Sequence, residues 1–288
     1  LPISQGVAYA AQKLGVKATI VMPKATPLIK VEATRKYGAE VVLAGEVYDE
    51  AYKEAKRLQE ENGYEFIHPF NDDDVIVGQG TISLEILEEV PDADILMVAI
   101  GGGGLAAGIA HCAKLLNPNI KIIGVEPEGA QCMKAAFENG SPVELCKVST
   151  IADGAAVKLA GERTYELLKD VIDEIVTVSD YELMDAFLVL LEKHKLIAEN
   201  AGILSLAGLK KIKEKNKKVR LEEKCPAGHP GSPQSLKLPA RMLQRCAQAF
   251  FQCWMVEWLI QNLIDRQIFC NHPSQQMRKV FRRLGEKR

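Results

Sequence analysis

Residues 94–108 read Asp-Ile-Leu-Met-Val-Ala-Ile-Gly-Gly-Gly-Gly-Leu-Ala-Ala-Gly, and few folds accommodate such a stretch. Residues 95–100 are apolar and uncharged, which suits a short strand buried on both faces. Residues 105–116 have the composition of a helix. Between them stand Gly101, Gly102, Gly103 and Gly104. Glycine loses more backbone entropy on folding than any other residue, so four in succession make sense where side chains must be absent. A strand end, a bare loop and a helix start leave several N–H groups converging on one spot, and the helix dipole adds partial positive charge there. The spot suits a phosphate. The pattern Gly101-x-Gly103-x-x-Ala106 also fits a dinucleotide fingerprint, with Glu126 about 20 residues on, where a ribose-binding acid belongs. A plain strand-to-helix turn is the third reading.

The flanking sequence alternates in the same way. Helical spacing over 5–14 ends at Gly15, and a strand over 17–22 stops at Pro23. A helix over 27–37 meets Gly38 as its C′ cap, followed by a strand over 40–43 and a polar helix over 48–62 closed by Gly63. A short strand over 65–67 precedes His68-Pro69-Phe70, and a helix over 78–89 opens Gly-Gln-Gly-Thr. After the glycine loop come a strand over 121–126, an irregular stretch over 127–150 and the compact loop 150–154. A helix over 164–169 and a strand over 174–178 follow. Ser179 or Asp180 then caps a long helix to about residue 196. Glu199-Asn200-Ala201-Gly202 starts a final helix. Strands and helices alternating at short intervals predict an α/β chain with parallel sheets covered by helices.

Composition excludes several classes. The chain has 288 residues, 47% hydrophobic and 26% charged, enough for two domains of moderate size. The net charge of −2 does not favour a nucleic-acid partner, and no apolar run is long enough for a transmembrane helix. Seven cysteines without a Cys-x-x-Cys pair predict a reducing, cytoplasmic setting, and the five scattered histidines form no metal-ligand pattern. Beyond residue 219 the character changes. Four prolines fall within 225–239, and both tryptophans lie further on. From Arg220 onward the chain carries 12 Lys and Arg against 5 Asp and Glu. The expected organisation is an incomplete small α/β domain over 1–70, a large phosphate-binding α/β domain over 71–219 and a divergent tail over 220–288. The tail is read as mostly helical or disordered, with a helix over 241–264 whose apolar face carries Phe250, Trp254, Trp258 and Leu259.

Seven stretches, taken together and in order, resemble the fold-type II pyridoxal-phosphate enzymes of the tryptophan synthase beta-like architecture. Within these the chain is similar to the threonine/serine ammonia-lyases (threonine dehydratases) and their serine racemase relatives. The stretches are Gln5-Gly6-Val7-Ala8-Tyr9-Ala10-Ala11, Val21-Met22-Pro23, Gly78-Gln79-Gly80-Thr81, Gly101-Gly102-Gly103-Gly104-Leu105, Gly124-Val125-Glu126-Pro127, Ile151-Ala152-Asp153-Gly154 and Ala198-Glu199-Asn200-Ala201-Gly202. This set displaces the dinucleotide reading.

The resemblance implies pyridoxal 5'-phosphate as cofactor, its phosphate held by the N–H groups of Gly101, Gly102, Gly103, Gly104 and Leu105. It implies that Gly154 lines the site and that Glu199 faces the cofactor region, where the plain reading of Glu199 is a helix-start acid favoured by the dipole. It also implies a divalent cation at Glu126 and the backbone oxygen of Ala130, although Cys132 stands where a third carboxylate is expected and a thiol suits a hard cation poorly. The implied reaction removes water from L-threonine or L-serine, giving a 2-oxo acid and ammonia. The implied partners are an amino-acid substrate and further copies of the chain in a homo-oligomer, with no nucleic acid and no membrane.

The family's Schiff-base lysine belongs to a segment preceding the match to residues 5–11, so no catalytic residue is transferred to this chain. Its cofactor-ring segments are not matched at Leu1-Pro2-Ile3-Ser4 or after Val219 either. Two readings stay open on the sequence: an ammonia-lyase by descent, and a non-catalytic fragment that keeps a phosphate-binding loop.

Overall fold

The computed structural model describes residues 2–223. The first part is built on α1 (Pro2–Leu14), β1 (Thr19–Met22), α2 (Leu28–Lys36), β2 (Glu40–Leu43) and α3 (Tyr48–Asn62). β1 and β2 pair in parallel, Thr19 opposite Glu40 and Met22 opposite Leu43. The helix α2 crosses between them and buries Val31 against Ala8, Ile20, Met22 and Ala39. Gly63 ends α3 in the left-handed conformation at φ 67°, and its N–H bonds back to the Gln59 carbonyl.

The second part continues with α4 (Asp73–Glu89), β3 (Ile95–Ala99), α5 (Gly104–Leu116), β4 (Lys121–Pro127), α6 (Cys132–Asn139), α7 (Glu162–Leu168), β5 (Glu174–Val178), α8 (Asp180–Val189) and α9 (Asn200–Glu223). β3, β4 and β5 form a parallel sheet in that order. Its central strand β4 is buried from Ile122 through Pro127, because helices cover both faces. On one face Ile76, Leu96, Val98, Ile109, Ile120, Ile122, Met133 and Leu168 pack together. On the other, Val125 and Val178 meet Leu183, Ile203 and Leu204.

Several expectations need correction. Residues 65–67 are not a strand. Three residues offer too short a ladder, and Phe66 and His68 instead set their rings 5.7 and 5.5 Å from that of Tyr52. The helix read from residue 78 starts five residues earlier. Asp72 caps it by accepting from the N–H groups of Asp74 and Val75. Gly78 and Gly80 thus lie inside α4, and it is Gly108 of α5 that lets the two helices pack closely: a side chain there would run into the Ile76 carbonyl and come within 2.8 Å of the Gly80 nitrogen. The stretch 127–150 is not wholly irregular, since α6 lies within it. The helix read to residue 196 leaves α geometry after Val189. A wider π-type turn over Leu190–His194 follows, and Lys195 stops it at φ 57°. The expected helix over 241–264 lies outside the described residues.

Candidate functional site

A cavity of about 1710 Å³ opens between the two sheets. Val21, Met22, Pro23, Tyr48 and Tyr52 line one wall, and Gly101 through Leu105, Asp153, Gly154, Lys158 and Ala201 line the other. Both walls follow from the parallel topology, which turns the carboxyl ends of strands and the start of α5 toward one crevice.

The glycine loop is shaped by what lies behind it. The Thr164 hydroxyl, fully buried, donates to the Gly102 carbonyl at 2.6 Å, and the Gly161 N–H donates to the same oxygen at 3.3 Å. The Cys132 thiol donates to the Gly101 carbonyl at 3.4 Å. Burial pushes this thiol up to about 12, so it keeps the proton that it donates. With the Gly101 and Gly102 carbonyls engaged in this way, the loop amides are left to the cleft. Among the described residues, no protein acceptor takes a hydrogen bond from the N–H of Gly101, Gly102, Gly103, Gly104 or Leu105. The last two belong to the first turn of α5, whose N–H groups have no partner within the helix.

Three of the glycines are required by close approach, and at Gly104 a Cβ would lie 2.8 Å from Phe70 Cα. A Cβ at Gly102 would clash with the Phe70 ring, 2.4 Å from Cγ and 2.5 Å from both Cδ atoms. Gly103 stands at φ 97°, a left-handed conformation, and a Cβ there would lie 2.6 Å from Met133 Cε and 2.7 Å from Thr164 Oγ1. The bare loop is therefore demanded by the protein's own packing as well as by whatever its amides hold.

The other expected residues separate. Gly154 lies on the cleft wall, where a Cβ would meet Ala201 Cβ at 3.0 Å. Glu199 does not line the cleft; its Oε1 lies 2.9 Å from Lys30 Nζ. Glu126 is fully buried, and its two carboxylate oxygens accept from the N–H groups of Met133 at 2.8 Å and Lys134 at 2.9 Å. It thereby caps α6 from a distance. Burial pushes its carboxyl up to about 7, against the lowering effect of these two bonds. Ala130 is likewise fully buried. Among the described residues no cluster of three or more His, Cys, Asp and Glu side chains is placed to hold a metal ion. The residues present do not fit a divalent cation at Glu126: its oxygens serve the helix, and the neighbouring sulfur is a protonated donor.

Four contributors escaped the sequence reading. Thr164, Cys132 and Phe70 shape the loop, and Lys30 joins Asp153 to Glu199. Lys30 carried no local signal, because α2 has no clear apolar face: Leu28 and Ile29 are exposed while Lys30 is buried.

The fold and this amide-lined crevice define a class, and the chain belongs to it: the model of the family described as pyridoxal-phosphate dependent enzyme matches residues 3–224. Over 219 residues the chain is 48% identical to an L-threonine ammonia-lyase of Thermotoga maritima, covering 76% of this chain and 55% of that protein. It is 46% identical to the biosynthetic L-threonine dehydratase IlvA of Escherichia coli, covering 72% and 40% respectively. Among solved structures, the processed form of threonine deaminase isoform 2 from Solanum lycopersicum superposes with a TM-score of 0.67 at 43% identity, over 71% of this chain and 56% of that one. Maize serine racemase does so with a TM-score of 0.67 at 38% identity, over 71% and 62%. The chain thus spans about half the length of the curated relatives it matches. The architecture is the α/β, tryptophan synthase beta-like one that the sequence led us to expect.

The coenzyme that names the family fits the crevice at its phosphate end. Five neighbouring amides, a helix start and a backbone without side chains suit a dianion.

Proposed function

We propose that this chain carries the phosphate-binding half of a pyridoxal-phosphate dependent ammonia-lyase acting on L-threonine, with L-serine as a second substrate. The observation that carries the reading is the set of loop amides from Gly101 to Leu105, open to the cleft and free of protein acceptors. In this reading the amides bind the coenzyme phosphate, Phe70 and Thr164 hold the loop in the binding shape, and Gly154 keeps the wall beside the loop bare enough for a flat ring. When bound, pyridoxal phosphate supplies an electron sink for the bond broken beside the substrate amino group. The names of the relatives support threonine as the substrate. We read residues 1–70 and 71–219 as the small and large domains that face each other across the cleft, with 220–288 as a divergent tail. The free cysteines Cys112, Cys132 and Cys146 support a cytoplasmic setting. Among the described residues no helix is long and apolar enough to cross a membrane. Assembly with further copies is part of the reading. It is supported by exposed Tyr181, Met184 and Leu188, three and four residues apart on α8, and sedimentation at increasing concentration tests it.

The deciding experiment adds pyridoxal 5'-phosphate to the full chain and follows binding by equilibrium dialysis and the visible spectrum. Association at about 10 μM or tighter is expected, with phosphate-free pyridoxal at least about tenfold weaker. No association at about 1 mM overturns the reading. Binding without release of 2-oxobutanoate from L-threonine overturns the ammonia-lyase activity for this chain and favours the non-catalytic alternative.

A further inference from the structure

Lys30 is the most deeply buried lysine among the described residues that sits beside the cleft. The residue is 8% exposed, flanked on α2 by buried Val31 and Thr34, and Thr34 Oγ1 donates to its carbonyl at 2.9 Å. Its ammonium leaves α2 for the other part of the molecule, where Nζ lies 3.1 Å from Asp153 Oδ2 and 2.9 Å from Glu199 Oε1. Asp153 opens the short turn Asp153–Ala155 that presents Gly154 to the cleft. Glu199 directly precedes α9, whose Ala201 lines the same wall. One cation therefore meets three segments: a helix of the β1–β2 part, the turn that carries Gly154, and the start of α9.

The chemistry suits a strut. An ammonium has three donors and no acceptor, so it can serve two carboxylates at once. Burying a long, charged side chain costs rotamer entropy and solvation, and the two carboxylates compensate that cost only while both parts of the molecule stay together. Lys30 does not line the cleft, and its ammonium is committed to Asp153 and Glu199, so direct contact with a bound molecule is not its role.

We propose that Lys30 is a positioning residue. By holding Asp153 and Glu199 it fixes the spacing between the two walls of the cleft at Gly154 and Ala201, and so sets how tightly the coenzyme is gripped. The consequence for the coenzyme rests on the function proposed above; the strut itself does not.

The test uses the full chain with Lys30→Met, Lys30→Arg, Glu199→Gln and the Lys30→Met/Glu199→Gln pair. Hydrogen exchange is read without coenzyme, and pyridoxal 5'-phosphate affinity is read separately. Lys30→Met is expected to speed exchange at least about tenfold in 151–156 and 199–203 while the strand core 121–127 keeps its protection. It is expected to weaken coenzyme binding by about tenfold. Lys30→Arg, which keeps the charge, restores most of both. The double variant is no worse than Lys30→Met alone, because the two residues act through one contact. Unchanged exchange in 151–156 overturns the proposal, and so does a uniform rise that includes 121–127, which marks a merely structural role. If Lys30→Met fails to fold, Glu199→Gln carries the exchange comparison: faster exchange in 151–156 and 199–203 with 121–127 protected supports the strut, and unchanged exchange overturns it. If the unaltered chain binds no coenzyme, the functional reading falls, while the exchange comparison still decides whether Lys30 is the strut.

Discussion

Gly103 meets two separate constraints, a left-handed backbone and side chains that leave no room for a methyl group. Gly103→Ala is expected to cost about 1–2 kcal/mol for the backbone and a further 1–3 for the contact with Met133 and Thr164, measured by urea unfolding. Thr164→Val removes the donor to the Gly102 carbonyl and is expected to cost roughly 1–2 kcal/mol, with Thr164→Ser close to the unaltered protein. Glu126 behaves differently because its effect depends on pH. Its folded-state pKa is raised from 4.5 to about 7 by burial. A carboxyl raised in this way contributes its stability in full below pH 4.5 and loses it as pH rises through about 7. Relative to Glu126→Gln, the protein is expected to lose on the order of 3 kcal/mol between about pH 4.5 and 8. Unfolding at a series of pH values reads this directly, and parallel curves for the two proteins would refute it.

At the scale of elements, local signals mark boundaries well where the cap is near in sequence. Tyr48–Asn62, Glu40–Leu43 and Glu174–Val178 lie where spacing and glycine punctuation put them. Ser179 caps α8 with a full reciprocal box: its hydroxyl accepts from the Glu182 N–H, and Glu182 accepts from the Ser179 N–H. Ser179→Ala is therefore expected to cost about 1 kcal/mol in thermal or urea unfolding. The start of α6 was illegible because its acceptor, Glu126, lies on the preceding strand and Gln131 supplies no side-chain cap. The same distinction divides the site. The glycine loop could be read because its requirement is written in the residues themselves. Thr164 acts on Gly102 from 62 positions away and Lys30 on Asp153 from 123 positions away, and nothing local in either segment specifies that partner.

For the molecule as a whole, a ligand that binds only the folded cleft must raise stability by mass action. At about one hundred times its dissociation constant, pyridoxal 5'-phosphate is expected to add about 2.7 kcal/mol and to raise the melting temperature by roughly 5–10 °C. A scan over coenzyme concentration checks this, and a flat melting temperature would contradict it. The cleft is lined by both sheets, and the two sheets share no apolar cluster: one packs on a cluster of its own, the other on a cluster at each face. Two-stranded sheets contribute little stability alone. The β1–β2 half should accordingly melt first in the free chain and give a broad, biphasic transition. A guest wedged between the halves converts their separate equilibria into a shared one, so the loaded protein should lose both in a single sharp step.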